Sequence, residues 1–303
     1  RSFDGFHFAS AQKNATVTVA GFMPTRGAFQ VDGWGNLKVG VGYASVAGAS
    51  SHGRNHNDWR VLGMYYHDWR HVLKTDNRSA AARQADMANI RIATIGGHYS
   101  HLTETDHGAL DFMVWGAAQT GKWGRLDHEA LALDIEGGWQ PKFAPKLKPW
   151  IRAGFTHGSG DSDANDRRHG TFMQMLPTPR PFARFPFYNM MNNQDAFGMV
   201  TLRPHKDFTV KGEGHSLRLA NRNDLWHQGG GAFQPWSFGY VGRATGGARG
   251  LATYYDASAD WNVRPNVTLS GFYGYAIGKS AMARIYPQGK DGAFGYLEML
   301  YRF

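Results

Sequence analysis

The chain has 303 residues, 33 Lys and Arg against 24 Asp and Glu for a net charge of +9, 39 glycines, 14% aromatic residues and no cysteine. Disulfides and thiol chemistry are therefore excluded, and the absence of any run of about 18 apolar residues excludes a helical membrane span. A mean hydropathy of −0.47 is still compatible with a membrane barrel, because each barrel strand shows lipid only alternate side chains.

The apolar period is two rather than 3.6 along nearly the whole chain. It predicts thirteen strands, at 2–10, 14–24, 36–46, 58–69, 90–101, 108–119, 129–140, 148–158, 195–203, 207–219, 251–262, 266–278 and 290–303. Most have the length of about 9–13 residues that a tilted strand needs to cross hydrocarbon, whereas ordinary strands average about 5–6. The links 11–13, 102–107, 141–147, 204–206 and 263–265 are short, and 25–35, 70–89, 120–128, 159–194, 220–250 and 279–289 are longer. Only 47–57 is longer than its place in the alternation predicts. Short turns at one end and long loops at the other mark an outer-membrane barrel with periplasmic turns.

The faces of the strands agree with this. Leu131, Leu133, Ile135 and Trp139 alternate with Ala132, Asp134, Glu136 and Gly138. In the closing segment YLEMLYRF, Leu297, Met299, Tyr301 and Phe303 form a lipid face opposite Tyr296, Glu298 and Arg302. The stretches 58–69 and 90–101 carry apolar residues on both faces. The expected fold is all-β, a transmembrane antiparallel up-and-down β-barrel in the bacterial outer membrane, with residues 1–303 forming a single β-barrel domain. Its expected surroundings are outer-membrane lipid and lipopolysaccharide. The terminal aromatic Phe303 resembles the signal read by the barrel-insertion machinery. Bacterial single-chain barrels have an even strand number, so thirteen predicts further strands ahead of Arg1 and an N-terminally truncated barrel.

Three stretches resemble one family, the alginate-export channels of Gram-negative outer membranes. They are RSFDG with Arg1, Asp4 and Gly5; GSGDSDANDRRHGTFMQMLPT with Ser159, Gly160, Asp161, Asp166, Thr171 and Phe172; and HSLRLANRNDLWH with Asp224 and Trp226. The resemblance implies a barrel of about 18 strands, so that about five would precede Arg1, and passive export of an anionic, alginate-like uronate polysaccharide through a basic lumen. One departure is the short turn Val263–Arg264–Pro265, where the family's alginate channel has a long periplasmic turn that helps occlude the pore. The alternative function is a general or small-solute porin.

A pore for a polyuronate needs cations spread along its path, and guanidinium suits carboxylate through its two-pronged geometry. Strand parity proposes Lys38, Arg60, Arg91, Arg152, Arg203 and Lys211 for the lumen, together with Asp134, Glu136, Glu213, Asp256, Asp260 and Glu298. Further basic residues, among them Arg167, Arg168, Arg180, Arg184, Arg243 and Arg249, fall in loops, and PTPRPFARFPF (177–187) could pack as a lid. Asp161, Asp163 and Asn165 have the spacing of the start of a calcium loop, but Asp166 stands where that loop needs Gly and Phe172 where it needs Glu. No cofactor is expected. His67 with His71, and His52 with His56, have a spacing that meets only on a helix. His215 and Ser216, considered as a lipid-hydrolase pair, are adjacent in a strand and so point to opposite faces. No enzyme activity is expected. Nucleic acid is not expected either, since the basic residues are not grouped with stacking aromatics.

Overall fold

A computed structural model describes residues 2–26, 35–176, 189–229, 233 and 239–303. Arg1 and the stretch 177–187, with Arg180 and Arg184, lie outside the described residues. All thirteen predicted strands are present: β1 (Phe3–Ala11), β2 (Thr16–Pro24), β3 (Val39–His52), β4 (Asn55–Asp68), β5 (Ile90–Thr105), β6 (Gly108–Trp123), β7 (Leu126–Pro141), β8 (Trp150–Gly158), β10 (Asn193–His205), β11 (Phe208–Leu219), β14 (Gly250–Arg264), β15 (Val267–Gly278) and β16 (Gly292–Tyr301). The loops add β9 (Arg168–His169), the hairpin β12 (Trp226–Gly229) and β13 (Tyr240–Arg243), and two helical turns, α1 (Ala80–Ala85) and α2 (Ser280–Ile285).

The thirteen long strands pair antiparallel with their chain neighbours from β1 to β16, and β9 adds to β7 to make a sheet of 14 strands. Among the described residues no pairing joins β1 to β16. The turns at one end are short, with two residues each at Gly53–Arg54, Asp106–His107, Lys206–Asp207 and Pro265–Asn266. The expected irregularity at 47–57 disappears, because β3 and β4 each continue to 14 residues and close on Gly53 in the left-handed conformation, φ 59°. At the other end the expected loop 120–128 is instead a tight turn, Gly124–Arg125, between strands of 16 residues. Gly124 has φ 66°, and a Cβ there would meet the Asp86 carboxylate at 2.4 Å.

The sheet has one face open to its surroundings and one covered by loops. On the open face Ile95, Ile135 and Leu297 are 66%, 51% and 92% exposed. On the covered face, at the long-loop end, Val39, Val41, Tyr66, Ile90, Ile92 and Trp123 pack against Met173, Met191, Phe233 and Tyr240 from the loops. This explains why β4 and β5 read as apolar on both sides. One side is the open face, and the other is roofed by folded-in loops that remove it from water.

Candidate functional site

The covered face of β6 to β14 is where charge collects, because alternation turns every second residue inward. Register sets Asp111 of β6 opposite Gly138 of β7, and Gly138 opposite Arg152 of β8. The Arg152 guanidinium spans this row. Its Nη1 donates to Asp111 Oδ1 at 2.5 Å, and its Nε donates to Glu136. It lies 5.1 Å from the centroid of the Trp150 ring, whose Nε1–H donates to Asp111 Oδ2 at 2.9 Å. A Cβ at position 138 would stand 2.4 Å from Asp111 Oδ2, so glycine there leaves room for the bridge.

One strand further, Asp195 of β10 accepts from His215 Nδ1 at 2.6 Å, with both side chains fully buried. The His215 ring stacks against Phe197 at 5.6 Å. On β11, Lys211 pairs with Glu213 at 2.7 Å, and Glu213 faces Asp256 of β14 across the ladder. Asp260 accepts from the Ser270 hydroxyl at 2.6 Å. Asp134 is completely buried on the same face of β7. Ser216, exposed beside buried His215, points away from it.

Of the candidates chosen by parity, Asp134, Glu136, Arg152, Lys211, Glu213, Asp256 and Asp260 therefore share the covered face. Arg60, Arg203 and Glu298 lie in the same alternation but are exposed. Two differ from expectation. Arg91 alternates with buried Ile90 and Ile92 and stands on the open face, because the apolar residues of β5 that pack under the loops take the inward positions. Lys38 precedes β3 and is exposed among loop residues instead of in a strand. Asp111, Asp195 and His215 are members of the inner cluster that parity reasoning passed over. Asp111 lay in a clear alternating strand beside Phe112, and that was the signal available for it.

The second family-like stretch and the third meet above the sheet. Asp224 Oδ2 accepts from the Asp161 backbone N–H at 2.9 Å and from the Thr171 hydroxyl at 2.6 Å. Ser159 Oγ donates to the Gly170 carbonyl at 2.8 Å and accepts from the Leu131 N–H at 3.0 Å. Gly160 leaves space for Asn192, whose Nδ2 donates to the Asn221 and Leu225 carbonyls at 2.9 and 3.0 Å. Phe172 is buried against Ala132 and Met190, while Asp166 accepts from the Arg168 N–H at 2.9 Å. Trp226 begins β12 and packs beside Leu219 and Leu251. Asp4 and Gly5 lie in β1, opposite Met23 and Phe22. The contacts of Asp224 with Asp161 and Thr171, and of Asn192 with Asn221 and Leu225, tie two long loops together.

The calcium-loop spacing has a different use. Asp161 Oδ1 accepts from the Asp163 N–H at 3.1 Å, and Asp163 Oδ1 accepts from the Asn165 N–H at 2.9 Å. Through these bonds Asp161 and Asp163 cap successive turns over Asp163 and Asn165. Burial pushes the Asp161 carboxyl up to about 6. Burial opposes ionisation of Asp224 too, yet the His227 ring beside it and the Thr171 hydroxyl hold its carboxyl below the usual value.

A meander of long strands, apolar outside and charged within, defines a β-barrel-type channel protein of the bacterial outer membrane. The family model described as alginate export matches residues 44–275, and the chain belongs to that family. No curated protein matches the sequence significantly. Among solved structures the chain is similar to the NanC porin, with 8% identity, 87% of this chain and 94% of that one covered, and a TM-score of 0.33. It is also similar to a mutant ferric enterobactin receptor (PfeA) of Pseudomonas aeruginosa, at 9% identity, 90% and 49% coverage and a TM-score of 0.41. A third is the transport unit of the autotransporter AIDA-I of Escherichia coli, at 11% identity, 99% and 87% coverage and a TM-score of 0.28.

Proposed function

We propose that the protein is a passive channel exporting an anionic, alginate-like uronate polysaccharide. The observation that carries this is the family match across 44–275. Arg152 is the cation best built for the task. Its guanidinium is held rigid by Asp111, Glu136 and Trp150, and those carboxylates temper its pull, so a passing uronate is attracted without being trapped. Arg60, Arg203 and Lys211 extend the route along the same alternation. Lipid and lipopolysaccharide contact the apolar open face, and Phe303 serves insertion.

A small-solute porin is the second reading, favoured by one observation. The inward positions from β6 to β16 carry Asp111, Asp134, Glu136, Asp195, Glu213, Asp256, Asp260 and Glu298 against Arg152, Arg203 and Lys211. Planar-bilayer recordings separate the two. Export of a polyuronate predicts anion-selective reversal potentials and block by added polyuronate, with both weakened at least several-fold in Arg152→Ala. Cation preference with indifference to polyuronate selects the porin instead.

A further inference from the structure

We infer that Glu213, His215 and Asp256 form a binding site for one divalent first-row transition cation, of which zinc is the representative. This goes beyond the choice of transported solute and does not depend on it. Each of the three offers a ligand atom within 4.8 Å of the other two. Ligands about 2.1 Å from a shared ion stand about 3–4 Å apart, so small side-chain rotations complete the site. All three residues are at least nine-tenths buried, with relative exposures of 7%, 2% and 7%.

The unpaired atoms point to a missing partner. His215 Nε2, Glu213 Oε2 and both carboxylate oxygens of Asp256 are buried with no hydrogen-bond partner, although such groups are costly to leave unmade. The Nδ1 of His215 is committed to Asp195 at 2.6 Å. That bond fixes the tautomer that presents the Nε2 lone pair, as carboxylates behind metal-binding imidazoles commonly do. Charge points the same way. Glu213 and Asp256 face each other directly across the ladder, an unfavourable arrangement for two like charges. Lys211 occupies Glu213 Oε1, and with Asp195 the cluster retains two negative charges that a divalent cation neutralises. The imidazole selects for zinc-like ions over calcium or magnesium.

The test is titration of the full refolded chain in detergent with Zn2+, and separately with Ca2+ and Mg2+, by calorimetry. Cobalt(II) absorption reports the ligand field. One Zn2+ per chain is expected, weakened at least tenfold in His215→Gln and in Asp256→Asn and unchanged in Asp260→Asn. Asp195→Asn, a change behind the ligand, should weaken it about 10- to 100-fold. Should His215→Gln fail to fold, Asp256→Asn and the cobalt spectrum of the unaltered protein decide. Absence of stoichiometric Zn2+ binding, binding indifferent to these substitutions, or Ca2+ bound as tightly as Zn2+ would overturn the inference.

Discussion

Asp161 shows how one buried carboxyl can make a loop sensitive to pH. Its ordinary value of 3.8 rises to about 6 because burial penalises the charge. The docked loop therefore holds a proton that the free loop releases, and docking weakens as pH rises from about 4 through about 6, then levels off. Asp224 works in the opposite sense. Held below its ordinary value, it supports docking above the normal carboxylate range and loses that support only in stronger acid. The brace between the two loops is thus tightest at about pH 4. Hydrogen exchange of the amides in 159–172, corrected for intrinsic rates, should show about tenfold more protection at pH 5 than at pH 7, and Asp161→Asn should abolish the difference. Greater protection at pH 7 would contradict this account.

The loop between β4 and β5 is held by a network of buried ion pairs. Arg78 bridges Asp76 at 2.8 Å and Asp86 at 2.9 Å, and Lys74 Nζ donates to the Asp86 carbonyl at 2.8 Å. Burial draws the Lys74 ammonium below its usual range. The network reaches into the sheet. Trp123 Nε1–H donates to Asp76 at 2.9 Å, and the Arg125 N–H in the tight β6–β7 turn donates to Asp86 at 3.0 Å. Here the loop has taken over the turn that the sequence suggested would be long. Asp86→Ala takes from buried Lys74 the carboxylate 3.8 Å away and leaves Arg78 with Asp76 alone, a loss of about 1.5–3 kcal/mol. Limited proteolysis should then cut within 69–89 at least tenfold faster, while cleavage elsewhere is unchanged. Equal rates would show that the network contributes nothing to docking.

At the scale of the molecule, the sidedness of the sheet decides where charge is tolerated. The open face presents Ile95, Ile135, Leu297 and Tyr301, and a lysine facing lipid costs about 2–4 kcal/mol at mid-depth. Ile135→Lys should therefore lower the folded fraction in urea titrations from lipid vesicles, whereas Arg60→Gln, on the inward alternation, should leave it within about 0.5 kcal/mol of the parent. Equal loss in both variants would remove the distinction between the faces. The net charge of +9 does not concentrate in the inner wall of β6 to β16. Much of it lies in loops and turns, where Arg54, Arg125, Arg167 and Arg243 sit. A basic protein need not have a basic pore.

The strands were legible from local pattern because alternation is written residue by residue. Leu131 to Trp139, and Leu297 to Tyr301, needed no knowledge of their neighbours to be placed on one face. The alternation also assigned Asp134 and Arg152 to the opposite side. Local pattern leaves open which side is inner when both are apolar, and it is the loops covering Ile90 and Ile92 that put Arg91 on the outer side. Turn positions depended on how far pairing extends, which a single strand does not encode. The Arg152 bridge and the grouping of Glu213, His215, Asp195 and Asp256 arise from register between strands distant in sequence. Period two determines a strand and its faces, but only the hydrogen-bonded ladder determines which side chains stand opposite each other.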